Sequence, residues 1–173
     1  MNLIVTCPRH FESEAKEEFR KILQGFGDEI PAFFPTDMSG IFTVETKIEG
    51  KDVVKQLKEM IREEPWSLRY VRRVIPIQIT INTELEEIVK ESLELSKIMK
   101  VDETYRISIE KRNSSISSSQ IISKIAEKIS NKVSMENYDW NILIEILGAR
   151  TGISILNDQG ILSVEKEKRS LSE

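Results

Sequence analysis

Apolar and polar positions recur along this chain in two rhythms, and the switches between them predict its elements. Leu3-Ile4-Val5-Thr6-Cys7 is a short apolar run of the kind found in a buried strand, ended by Pro8. Over 11–24 the spacing becomes helical. Phe11, Ala15, Phe19, Ile22 and Leu23 share one face opposite Glu12, Glu14, Lys16, Glu17 and Glu18, and Gly25-Phe26-Gly27 stops the helix. Ala32 to Phe34 and Ile41 to Lys47 flank the turn-like Pro35-Thr36-Asp37-Met38-Ser39-Gly40, which suggests a hairpin. A second helix over 51–63 turns Val53, Val54, Leu57, Met60 and Ile61 inward before Pro65, and a strand follows from about Leu68 to Thr80. The order βαββαβ is that of a split-βαβ unit with both helices on one face of an antiparallel sheet.

The second half repeats the α/β theme. A helix over 84–98 carries Leu85, Ile88, Val89, Leu93, Leu95 and Ile98. Glu103 to Lys111 alternates as a strand, and 117–133 is helical with Ile121, Ile122, Ile125, Ile129 and Val133 as its buried stripe. Tyr138 to Leu147 has almost no polar face, which predicts a central strand covered on both sides. Arg150 to Leu156 and Ile161 to Val164 complete the second unit. The expected fold class is α/β (α+β), with domains at 1–80 and 81–165 and a frayed charged tail at 166–173.

Composition changes this picture mainly by exclusion. The chain has 173 residues, with one cysteine and one histidine, so neither a disulfide framework nor a zinc site within the chain is expected. No apolar run approaches the ~18 residues of a membrane span, and the N-terminus does not read as a signal peptide, which makes a soluble cytoplasmic protein the expectation. The net charge of −4 hides an uneven layout. Residues 66–82 carry Arg69, Arg72 and Arg73 and no acid, and residues 106–135 carry 6 basic and 2 acidic side chains. At a Debye length of ~8 Å, a phosphate responds to such islands more than to distant acids. By strand alternation Arg72 and Arg73 point to opposite faces, so at most one of them shares a surface with Arg69.

Catalytic constellations are scarce. No partners accompany Cys7 and His10, and the Gly50-Lys51-Asp52 and Gly25-Phe26-Gly27 stretches fail as phosphate-loop and dinucleotide fingerprints. The segment 110–120 says more. Ser117 with Gln120 fits a capping box, and Ile116 with Ile121 fits the adjoining hydrophobic staple. The free N–H groups of that helix start make an anion site beside Lys111 and Arg112. Ser114 and its serine neighbours allow close backbone approach, and Lys124 and Lys128 continue a basic stripe along the helix. Arg150 lies in a turn between strands.

With both halves in view, the chain resembles the THUMP family of RNA-modification proteins, a ferredoxin-like domain followed by a THUMP domain. The stretches that carry this are Leu68-Arg69-Tyr70-Val71-Arg72-Arg73-Val74-Ile75-Pro76-Ile77, Tyr105 to Ser114 with its Lys111-Arg112-Asn113 turn, and Asn141 to Leu147 followed by Gly152 to Leu156. The first two look closest to the branch that assists cytidine acetylation of transfer RNA. The resemblance implies a non-catalytic adapter without a cofactor of its own. It would bind transfer RNA around the acceptor stem and 3′ end and present it to a separate acetyltransferase, which uses acetyl-CoA and ATP. The absence of room for a fused catalytic domain after residue 165 supports that expectation. The RNA-binding residues expected are Arg69, Arg72, Arg73, Lys111, Arg112, Asn113, Ser114, Ser117, Lys124, Lys128 and Arg150. Two rivals remain: a small enzyme using Cys7 or His10 at the domain junction, and a protein-binding module presenting the acidic helices 51–64 and 84–98.

Overall fold

A computed structural model describes all 173 residues. In chain order the elements are β1 (Leu3–Thr6), α1 (Glu12–Gly25), β2 (Ala32–Pro35), β3 (Ile41–Glu45), α2 (Gly50–Glu63), β4 (Arg73–Pro76), β5 (Ile79–Asn82), α3 (Leu85–Ser96), β6 (Tyr105–Arg112), α4 (Ser118–Ala126), β7 (Trp140–Leu147), β8 (Arg150–Leu156), β9 (Leu162–Ser163) and α5 (Val164–Leu171). They form an α/β fold of two compact units, Met1–Ile77 with Gly160–Glu173, and Gln78–Gln159.

The first unit holds an antiparallel sheet ordered β2-β3-β1-β4-β9. Strand alternation puts Leu3 and Val5 on one face, where they pack with Ala15, Phe19 and Leu23 of α1 and with Val53, Val54, Leu57 and Ile61 of α2. Full burial of side chains of this size contributes roughly 1.5–3 kcal/mol each. Gly40 closes the turn before β3 at φ +78, and its N–H donates to Glu12 Oε1 at 2.6 Å. A Cβ there would lie 2.6 Å from the Cys7 carbonyl oxygen. Gly40→Ala is therefore expected to cost about 2 kcal/mol or more, combining a left-handed backbone with a collision against main chain. An unchanged denaturation midpoint would contradict this.

The second unit is a four-stranded sheet ordered β5-β8-β7-β6, with β6 and β7 parallel and the other pairs antiparallel. Ile142, Ile144 and Ile146 of β7 and Ile153 and Ile155 of β8 face Ile88 of α3 and Ile121 and Ile125 of α4. The other face of β7 is also buried, at Asn141, Leu143 and Glu145, as its apolar pattern requires.

Four expectations are corrected. Residues 68–72 are not strand, and the expected strand to Thr80 is two, β4 and β5, in different sheets. The helix expected over 117–133 ends at Ala126. Beyond it, Lys132 O accepts from Tyr105 N, and Asn131 Nδ2 reaches the carbonyls of Lys100 and Glu103, so the chain straightens against the start of β6. The strand near 161–164 does not complete the second unit: Leu162 joins the first core, with β9 paired to β4. The tail expected to fray is α5, tied down by Lys168 Nζ donating to Leu68 O and by the Lys58–Glu167 ion pair.

Candidate nucleic-acid interface

In the second unit the parallel strands β6 and β7 end side by side, Arg112 opposite Leu147. Both chains then turn through left-handed residues, Asn113 at φ +54 and Gly148 at φ +60, with Gly148 N donating to Arg112 O at 2.8 Å. Asparagine tolerates that region because its short polar side chain bonds locally. The carboxyl ends of parallel strands are where α/β sheets commonly hold ligands. Lys111 is exposed and its Nζ donates to Ile116 O, and Ser114 Oγ accepts from Ile116 N, so the loop into α4 is held from two sides. Ser117 is the N-cap of α4, accepting from Gln120 N at 3.2 Å, as its spacing predicts. The N–H groups of Ser118 and Ser119 are left for water or an anion. Arg150 begins β8 at this same end and donates to Asn82 Oδ1. Here α3 also opens, with Glu84 at its N-cap and Glu86 and Glu87 in its first turn, so acidic side chains neighbour the cations at this end.

Arg112 is placed differently from the expectation. Its Nη1 lies 2.8 Å from Oε2 of Glu145, a residue with no exposed surface. Its charge is committed to a carboxylate inside the fold, so it positions the turn instead of waiting for phosphate. Lys124 and Lys128 are exposed and line a groove of about 410 Å³ with Glu86, Lys90 and Glu127 over Val89 and Leu93. The row is a mixed-charge groove wall, and Lys128 lies past the end of α4.

In the first unit Arg69, Arg72 and Arg73 line one cavity of about 530 Å³. The alternation argument fails because the strand begins only at Arg73. The preceding segment is shaped by Glu18 of α1, whose carboxylate accepts from the backbone N–H groups of Arg69, Tyr70 and Val71 at 2.9–3.3 Å. Such a run of consecutive N–H groups is an anion-binding concavity, filled here from within the chain. Phe11 stacks on Tyr70 beside it. Sequence reasoning missed Glu18 and Lys168, whose partners lie about 50 and 100 residues away. Glu145 had a visible signal as a lone charge inside an apolar strand.

Cys7 is buried, and burial followed by the charge of Glu12 pushes its thiol up to about 11. It is protonated at neutral pH and a poor nucleophile. A thiol reagent at pH 8 is expected to label it only after unfolding; labelling of the native protein at the rate of a free thiol would contradict that. Because the folded form holds this proton more tightly, its contribution is present below about 9 and lost as pH rises toward about 11. His10 is exposed, and no group of His, Cys, Asp and Glu is arranged to hold a metal. No helix is long and apolar enough to cross a membrane.

Over its whole length the chain is 24% identical to the uncharacterized protein MJ0421 of Methanocaldococcus jannaschii, of which it spans 46%. Among solved structures it resembles PH1313 from Pyrococcus horikoshii Ot3, with a TM-score of 0.64 and 18% identity, covering 91% of this chain and 55% of that one. It also resembles a 4-thiouridine synthetase solved in complex with RNA and bound ATP, with a TM-score of 0.58 and 13% identity, covering 94% of this chain and 42% of the other. This last likeness overturns the expectation of a protein that is not an enzyme, because the same fold forms part of an RNA-modifying enzyme. That expectation leaned on where the sequence stops, which carries no information about activity. Residues 82–156, from the end of β5 through β8, match the family model of the THUMP domain.

Proposed function

We propose that this chain holds transfer RNA, near its acceptor stem and 3′ end, for a base-modifying centre. One observation carries the reading. The carboxyl ends of β6 and β7 gather Lys111, Asn113, Ser114, the capped start of α4 at Ser117, and Arg150 at one end of the matched domain. Lysine, arginine, hydroxyl groups and helix N–H groups are the donors that phosphate oxygens use, and they position an RNA without reading its bases. Lys124 and Lys128 would extend the contact along the groove beside α4, and Arg69, Arg72 and Arg73 would add a second cationic patch. The THUMP match supports RNA binding and transfer RNA modification as the setting.

Cytidine acetylation, by a transferase using acetyl-CoA and ATP, is the modification we infer. It rests on the likeness of Arg72-Arg73-Val74-Ile75-Pro76-Ile77 and Lys111-Arg112-Asn113 to that branch. The likeness to a thiouridine synthetase makes thiolation the rival. Nucleoside analysis of transfer RNA from cells lacking this protein separates them. We expect 4-acetylcytidine to disappear with the other modified nucleosides unchanged. Loss of 4-thiouridine instead would favour the rival, and an unaltered nucleoside profile would remove transfer RNA modification as the role.

A further inference from the structure

The cavity of the first unit holds more positive charge than the fold itself uses. Arg69, Arg72 and Arg73 enter it from the segment leading into β4, and Lys168 enters from α5. None of the four forms an ion pair within the chain. The one carboxylate on the wall, Glu165, is drawn to Arg169 at 2.8 Å. Like charges gathered in a concavity repel one another, and an entering anion relieves that repulsion. The volume of about 530 Å³ suits a ligand of nucleotide size, and Val71 and Val164 give it apolar wall against which a sugar or base can pack. An internal phosphodiester brings a single negative charge, whereas a phosphomonoester brings about −1.5 to −2 near neutral pH. Four cations in one cavity favour the second.

We infer that this cavity binds a nucleotide bearing a phosphomonoester, supplied either by the phosphorylated end of an RNA strand or by a free nucleoside monophosphate. The inference uses no residue of the stretch matched to the THUMP domain, and it gives Arg69, Arg72 and Arg73, named above as a second cationic patch, a specific ligand. It also gives the C-terminal segment a purpose: the chain returns to the first unit and places Lys168 on the cavity wall.

The test measures the affinity of the full chain for a short single-stranded RNA with a 5′-phosphate or a 5′-hydroxyl, alongside calorimetry with AMP and adenosine. We expect the 5′-phosphate to tighten RNA binding about tenfold, or AMP but not adenosine to bind. Arg72→Glu and Lys168→Glu should each abolish that preference. Lys168 also donates to Leu68 O, so Arg72→Glu, at an exposed side chain with no hydrogen bond, is the cleaner variant. A phosphate preference in RNA identifies the strand end as the source; AMP binding with no such preference identifies the free nucleotide. AMP binding with no RNA binding at all would sink the RNA reading and leave the cavity standing. Equal affinity for the two RNAs with no AMP binding, or a preference that survives both substitutions, would overturn the inference while leaving RNA binding by the other unit intact.

Discussion

Arg112→Ala is expected to destabilise the second unit by about 3–5 kcal/mol, far beyond an ordinary surface substitution. Glu145 sits without solvent exposure on β7, between β6 and β8, and Arg112 is its ion-pair partner at 2.8 Å. With the guanidinium gone, the buried carboxylate loses its ion-pair partner and must stay charged away from water or take up a proton, and either is costly. Replacing both residues together, Arg112→Met with Glu145→Leu, should recover most of the loss, because no charge then stays buried without its ion-pair partner. Chemical denaturation of the two variants and the parent measures this directly. Equal stability of Arg112→Ala and the parent would show that the pair holds nothing together. RNA-binding changes in Arg112 variants therefore report the integrity of the fold first.

The pair suited to testing RNA contact is Lys111 and Arg150, both exposed at the same end of the sheet. Reversing both, Lys111→Glu with Arg150→Glu, is expected to weaken transfer RNA binding about hundredfold near 0.1 M salt, or about 2.7 kcal/mol. The parent's affinity should fall steeply with added salt, and the double variant's slope should be shallower by ~0.7–0.9 for each phosphate it no longer neutralises. A variant that binds as tightly as the parent, with the same salt slope, would remove this edge as the RNA site. The net charge of −4 makes the test sharp, since no general positive field is present to mask the removal of two local cations.

Most of the fold was legible from local pattern. The Phe19 and Leu23 face of α1, the Val53-to-Ile61 face of α2 and the apolar run of β7 declare their periods within ten or so residues, and periodicity reports burial directly. The cap of α4 was legible for the same reason, since Ser117 and Gln120 are one turn apart. What misled was any inference that needed a distant partner. The apolar residues from Leu68 to Thr80 look like one strand, yet Glu18 bends the first part through three backbone N–H groups, and the remainder divides between two sheets. The isoleucine stripe past Ala126 keeps its rhythm, but the chain leaves the helix to bond with the start of β6.

Local pattern was enough to establish an α/β chain with strands and helices in nearly the observed order, two islands of positive charge, and a helix start capped by Ser117. Only the tertiary structure could assign β9 and α5 to the first unit, bring Lys168 beside three arginines, and hand Arg112 to a buried carboxylate. The physical reason is the range of the interactions. Helix and strand periods arise between neighbours a few residues apart, whereas charge pairing and cavity walls depend on groups tens of residues distant that meet only when the chain has folded.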